Sequence, residues 1–213
     1  MATHLVWFRA DLRMHDNLAL AAACRDPHAE VLGLFIATPG QWRQHGMAAR
    51  QAAFIVSHLH SLQAALAEKG IPLHVEQAED FAASVKRLAS FCGQQQVTHL
   101  FYNYQYEINE RQRDAAVENT LAGVTCQGFD DSVLLPPGSV LTGNREMYKV
   151  FTPFKNAFLR RLQEALPECV AAPKVRASGP IAAASNVEID YPQTPFDSEL
   201  FAADEKSAIA RLR

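Results

Sequence analysis

The stretch Leu5-Val6-Trp7-Phe8-Arg9-Ala10-Asp11-Leu12-Arg13-Met14-His15-Asp16-Asn17 decides the fold. Its first four residues form a short apolar run, the pattern of a buried strand. Its last two are capping residues, placed before the Ala/Leu-rich run Leu18 to Cys24. That run reads as a helix ending near Arg25, with Pro27 just beyond it. Between strand and helix lie Arg9, Asp11, Arg13 and Asp16. In an open α/β sheet, the turn after a strand faces the ligand crevice at the carboxyl ends of the strands. Charge is therefore concentrated where such a sheet binds its ligands.

Outward from this turn, strand and helix signals alternate. Val31 to Ile36 is a continuous apolar run, as a central parallel strand requires. A loop containing Pro39, Trp42, His45 and Gly46 follows. A long amphipathic helix is predicted from about Ala48 to Lys69, with Phe54, Ile55, Leu59, Leu62 and Leu66 on one stripe and Gly70 as terminator. Ile71 to Val75 is a short strand. Asp80 opens a helix carrying Phe81, Val85, Leu88 and Phe91 at helical spacing. Thr98 to Tyr102 is the next strand, a charged helix runs from about Asn109 to Leu121, and Val124 to Phe129 is the last strand. This order predicts an α/β fold: a doubly wound, five-stranded parallel sheet with helices on both faces, complete near residue 131.

Beyond that point the texture changes. Asp130-Asp131, Pro136-Pro137-Gly138 and Gly143-Asn144 are turn signals. Thr152-Pro153 starts a helix, with threonine as cap and proline in the first turn, and is expected to turn Phe154, Phe158, Leu159 and Leu162 inward. From Pro167 to Pro195 the chain holds five of its eleven prolines, and this reads as an extended linker lying over a surface. Asp204 opens a new amphipathic helix, from Glu205 onward, that runs into the last residue, Arg213. The expected division is therefore 1–131, an α/β domain; 132–203, a helix and long connector; and 204–213, the start of a further domain. The expectation is that this chain is part of a longer polypeptide.

The chain has 213 residues, 48% hydrophobic and 20% charged, enough to bury a full core. Its 20 basic and 23 acidic residues give a net charge of −3, unlike a strongly basic nucleic-acid binder. Contacts of this stretch with DNA phosphates are expected to be secondary. Cys24, Cys92, Cys126 and Cys169 are scattered and form no CxxC pair, which excludes a zinc knuckle or a thioredoxin-type site. Four buried thiols in a reducing cytosol are expected. His58 and His60 fall on different sides of a helix, and no metal-ligand cluster emerges. Met1-Ala2-Thr3-His4 leads straight into the first strand, so no signal peptide, no membrane span and a cytoplasmic location are expected.

No GxGxxG follows the first strand, and neither GxxxxGK[ST] nor GxSxG occurs. A pyrophosphate cradle and a serine nucleophile are thus not written here. Arg9, Asp11, Arg13 and Asp16 admit two readings: a polar cluster that touches a ligand, or an ion-pair network that pins the turn, which we favour. Tyr102-Asn103-Tyr104-Gln105-Tyr106-Glu107-Ile108-Asn109-Glu110 sits after the fourth strand. A carboxylate beside an amide suits the N–H edge of a flat heterocycle such as a pterin. The alternative has Asn109 capping the next helix and Glu110 complementing its dipole, and on the residues alone it is preferred. Trp42 and His45 could bracket a ring, a weak signal by itself.

The segments HLVWFRADLRMHDNLAL (from His4), FYNYQYEINERQRD (from Phe101), GFDDSVLLPPG (from Gly128) and GNREMYKVFTPFKNAF (from Gly143) together resemble the amino-terminal half of the photolyase/cryptochrome family. The likeness covers essentially the whole chain and is strongest to the bacterial pyrimidine dimer photolyases that use a folate antenna. It implies a Rossmann-like domain that holds 5,10-methenyltetrahydrofolate in a cleft shared with a helical domain. That helical domain would carry FAD and the lesion pocket. Light caught by the folate would pass to reduced flavin, whose electron splits a dimer flipped out of the duplex. Carried over residue by residue, the folate contacts implied are Asn109 and Glu110, with His45 beside them. The partners implied are the helical FAD domain and damaged DNA, in a monomer. By itself this stretch is expected not to repair DNA. Two alternatives remain open from the sequence: the matching half of a cryptochrome photoreceptor, and a nucleotide-binding α/β module related by architecture only.

Overall fold

Strand β1 (Thr3–Phe8) is buried along its whole length, because it runs through the middle of a sheet covered on both faces. The computed structural model describes residues 1–164, 166–176 and 184–212. After β1 come α1 (Leu18–Ala23), β2 (Glu30–Ala37), α2 (Pro39–Gln44), α3 (Ala49–Ala67), β3 (Leu73–Gln77), α4 (Phe81–Gln94), β4 (His99–Asn103), α5 (Ile108–Thr120), β5 (Thr125–Phe129), α6 (Phe151–Glu164) and α7 (Glu205–Arg211). The strands lie in the order β3-β2-β1-β4-β5, all parallel. This is the expected doubly wound sheet. The order reverses direction between β1 and β4, which opens a crevice at their carboxyl ends.

The period of two along each strand builds two cores. Val6, Phe8, Val31, Phe35, Leu73 and Phe101 face α1 and α3, where Leu20, Leu59, Leu62 and Leu66 meet them. Leu5, Trp7, Leu32, Leu34, Leu100 and Tyr102 face α4 and α5, against Val85, Leu88, Phe91 and Val117. Gly33 sits in β2 because a Cβ there would lie 2.9 Å from Leu73 Cδ1 and 3.1 Å from Phe8 Cε2.

Several local expectations are corrected. The loop after β2 contains the short helix α2, which Pro39 starts with its preset φ. Strand β3 begins at Leu73, because Ile71 donates to Leu66 O at 3.0 Å and so belongs to the turn that ends α3. Of the two capping candidates, Asp16 and Asn17, the structure selects Asn17, whose Oδ1 accepts from Leu20 N at 3.0 Å. Helix α6 begins at Phe151, so Thr152 lies inside it, and it buries only Ala157. Phe154 and Leu159 are exposed, because α6 makes no broad contact with the sheet domain. Of the four free cysteines only Cys92 is buried, while Cys24 and Cys126 are half-buried and Cys169 is exposed.

Between α6 and α7 the described residues form no helix or strand. They are nevertheless held tightly. Arg176 donates to the carbonyls of Cys24, Asp26 and Ala29 at 2.9, 2.6 and 2.7 Å. Ser185 Oγ accepts from Val75 N and donates to Val75 O, which satisfies the open edge of β3. Val187 and Ile189 are buried in the core beneath α3. Among the described residues, no helix is long and apolar enough to cross a membrane.

His74 in β3 is buried, packs its ring edge-on to Phe91 with centroids 5.2 Å apart, and leaves Nε2 without a partner among the described residues. Burial pushes its pKa below the ordinary imidazole value near 6.5, with Glu76 opposing more weakly. The unfolded chain therefore takes up this proton first, and stability is lost as the pH falls below about 6.5. The unfolding midpoint is expected to drop more steeply between pH 7 and pH 5 in the wild-type chain than in His74→Leu. Parallel melting curves at those pH values check it.

Candidate functional site

The turn after β1 is built around two buried guanidinium groups. Arg9 Nη1 pairs with Asp114 Oδ1 at 2.8 Å, and its Nη2 donates to the Asn103 carbonyl. Arg113 Nη2 reaches the same Asp114 oxygen at 2.9 Å and also Gln105 Oε1 at 2.9 Å. Both guanidiniums lie 4.7 Å from the Trp7 ring centroid, so each gains a cation–π contact inside the domain. Burial, and then the neighbouring Arg9 charge, pull the Arg113 pKa below the usual arginine value. It stays protonated all the same.

The aspartate of the turn does a different job. Asp11 accepts from its neighbour's backbone, Arg9 N, at 2.8 Å and from Asn103 Nδ2 at 2.6 Å. Asn103 Nδ2 also reaches Asn17 Oδ1 at 2.9 Å. One amide thereby ties the end of β4 to the cap of α1. Arg13 pairs with Asp131, whose other oxygen accepts from Leu18 N at 3.0 Å. Asp16 takes a left-handed φ of 51°, tolerated by aspartate, and donates its N–H to Val170 O at 2.8 Å. The turn is thus pinned by ion pairs from Arg9 and Arg13 to aspartates outside it and by hydrogen bonds of Asp11 and Asp16, and Arg9, Arg13 and Asp16 also contribute to a wall beside it.

That wall belongs to a cavity of about 900 Å³ at the carboxyl ends of β1, β2 and β4. Phe35, Ile36, Phe54 and Ile55 give it apolar sides, Trp42 and His45 come from α2 and its end, and Glu110 and Arg113 from α5. Trp42 is fixed by an edge-on contact with Tyr191 of the connector, centroids 5.5 Å apart. The structure therefore brings Glu110 and His45 to one cavity. Asn109 does not join them in its lining: it is exposed in the first turn of α5, beside the cavity. The capping reading of Asn109 is also corrected, since Glu107 holds the cap position and Asn109 is already helical. Glu110 does stand in the first turn, where its charge complements the dipole.

The tyrosines of the β4 segment serve packing. Tyr102 is fully buried and donates to Glu118, and Tyr106 donates to Asp130 Oδ1 at 2.9 Å. The Tyr104 ring lies where a Cβ on Gly128 would fall, 2.3 Å from Cζ. Sequence reasoning missed the contribution of α7. Ala208, Ile209 and Leu212 close one side of the cavity. Glu205 anchors that helix by accepting from His15 N at 2.7 Å and Met14 N at 3.1 Å. No local signal links residues so far apart. It also missed Gln41 and Phe81, hidden in segments read as a loop and a core helix.

The family profile described as DNA photolyase matches residues 4–173. The chain belongs to the DNA photolyase family. The deoxyribodipyrimidine photo-lyase of Escherichia coli is 62% identical to it over 213 residues, covering 100% of this chain and 45% of that protein. The chain thus spans about half the length of the curated relatives it matches. A cryptochrome of Synechocystis superposes with a TM-score of 0.79 at 22% identity, over 100% of this chain and 45% of its own. An archaeal photolyase from Sulfolobus tokodaii, described with two FAD molecules and a novel light-harvesting cofactor, gives 0.65 at 23% identity, over 81% and 37%. At these identities the structures speak for the fold alone.

Removing the shared carboxylate should expose how much the turn depends on it. Asp114→Ala leaves Arg9 and Arg113 buried side by side without their counter-charge. A loss of about 3–5 kcal/mol is expected. Urea unfolding checks it through a lowered midpoint at unchanged slope.

Proposed function

We propose that this chain is the antenna half of a deoxyribodipyrimidine photo-lyase, an enzyme that repairs cyclobutane pyrimidine dimers with light, and that its cavity holds 5,10-methenyltetrahydrofolate. The observation that carries the reading is a carboxylate, Glu110, in the wall of an otherwise largely apolar cavity at the strand-order reversal. A flat pterin fits between such apolar sides, and its amino and ring N–H edge calls for a carboxylate acceptor. A volume of about 900 Å³ lies within the range of small-molecule sites. Glu110 would hold that edge, and His45 would cover the ring from the α2 side. Asn109, exposed beside Glu110, would meet whatever part of the ligand emerges there.

When bound, the folate supplies absorption of near-ultraviolet light and passes the excitation on. The protein's share is to bind it, orient it and keep water from its ring. FAD, the lesion pocket and the principal DNA-binding surface are assigned to a helical domain that this half would join. The net charge of −3 agrees with DNA contacts lying mainly there. A monomer in the cytoplasm completes the reading.

Titrating the purified chain with 5,10-methenyltetrahydrofolate tests the cavity. Because the cleft is shared with the helical domain, the chain alone is expected to bind weakly or not at all; joined to that domain it is expected to bind, and Glu110→Gln there to bind about tenfold more weakly, one charge-assisted hydrogen bond being lost. Grafting the chain onto the remaining part of the E. coli enzyme tests the activity. The graft is expected to remove thymine dimers from DNA only in the light. Folate occupancy indifferent to Glu110, or a well-folded graft that repairs nothing, would overturn the proposal.

A further inference from the structure

Arg113 lines the cavity from α5, although its side chain is only 5% exposed. Most of its donors are taken. Nε donates to Asp114 Oδ1 at 3.1 Å, and Nη2 donates to Asp114 Oδ1 and to Gln105 Oε1, both at 2.9 Å. Nη1 has no acceptor among the described residues. Unlike Arg9 Nε, which is also unpaired, it is not sealed from water. A buried guanidinium with an unpaired donor is costly, and native structures keep one where a ligand or water pairs with it.

Glu110 stands in the same wall, three residues earlier on α5. Residues three apart on a helix are neighbours on one face. Among the described residues the two form no ion pair with each other, although the Glu110 charge acts on Arg113. An open acceptor and an open donor are therefore set side by side. The donor is also held rigid. The guanidinium packs over the rings of Trp7 and Phe81, 4.7 Å from each centroid, and Phe81 itself lines the cavity. Asp114 and Gln105 fix its rotation. Little side-chain freedom is left to lose when a ligand accepts from it.

We infer that Arg113 is a ligand-reading residue: its Nη1 donates to the carbonyl oxygen of a heterocyclic amide edge, while Glu110 accepts the N–H beside that carbonyl. An acceptor next to a donor is the complement of such an edge. An amino group in place of the ring carbonyl would set donor against donor, so Arg113 decides which analogues are refused. This deepens the folate reading and rests on it. The isoalloxazine ring carries the same edge, so the experiment has an arm for each source.

The graft onto the remaining part of the E. coli enzyme, loaded with FAD, is the protein tested. Folic acid and its 4-amino-4-deoxy analogue compete there against 5,10-methenyltetrahydrofolate. The analogue lacks both the carbonyl oxygen and the ring N–H. It is expected to bind about a hundredfold more weakly than folic acid, two hydrogen bonds being lost. In Arg113→Met that ratio is expected to fall to about tenfold, because only the Glu110 contact still discriminates. Arg113→Lys keeps a charge for Asp114 without the planar fork, and it is read in the same way should Arg113→Met lower the unfolding midpoint. FMN, added to the same proteins, is the second arm. If folate binds and depends on Glu110 but the ratio is near one, or is unchanged without Arg113, the inference falls and the folate reading stands. If FMN alone binds, and about tenfold more weakly without Arg113, the folate reading falls and the inference stands. Equal loss of affinity for folic acid and its analogue assigns Arg113 a structural role and overturns the inference. If the wild-type graft binds neither folate nor FMN, both fall.

Discussion

Asp114 shared between Arg9 and Arg113 is the interaction on which the crevice depends. Two like charges sit side by side over one tryptophan, inside a domain, and one carboxylate holds them together. Burying charge is expensive unless it is paired and hydrogen-bonded. Here the pairing also does geometric work. Arg9 comes from the end of β1 and Asp114 from α5, so the pair clamps the strand at the centre of the sheet to the helix that follows β4. The Asn103 amide adds a second tie, from β4 to the α1 cap.

The gap at the ends of β1 and β4 is a half-open crevice, and its walls are built up because the chain returns to it twice. Connector residues brace α2 through Tyr191, and α7 lays Ala208, Ile209 and Leu212 along the wall. Glu205 fastens α7 to the two backbone N–H groups that follow Arg13. Apolar side chains supply most of the wall, and the anchoring groups Glu205 and His15 line it beside them. That division suits a flat ring: its faces are covered by apolar side chains, while a few acceptors sort its edge. Glu110 stands in that wall on the helix that follows β4.

The fold was legible because each strand of a sheet covered on both faces must be apolar on both. Leu5 to Phe8 and Val31 to Ile36 can hardly be anything else. The charged turn was legible as a cluster, and its pinning role follows from the pairing habits of arginine and carboxylate. The inward stripe expected for α6 failed for a plain reason. Apolar spacing shows which face of a helix avoids water, not which partner covers it, and the sheet domain does not cover Phe154 or Leu159. Helix α2 escaped notice because Pro39-Gly40 reads as a turn in isolation, and a six-residue helix is too short to show a period.

By itself the amino-acid sequence determined the strand order's raw material, the two core faces, the charged turn, and Glu110 as an acid beside an amide after the fourth strand. These are local properties, set by spacing of two or 3.6 residues and by side-chain chemistry. The tertiary structure alone decided that Glu110, His45, Gln41 and α7 share one cavity, and that Asn109 stands just outside its lining. That outcome depends on where parallel strands stop and which helix docks across them. Both are set by packing between residues far apart in the chain, for which no local pattern exists.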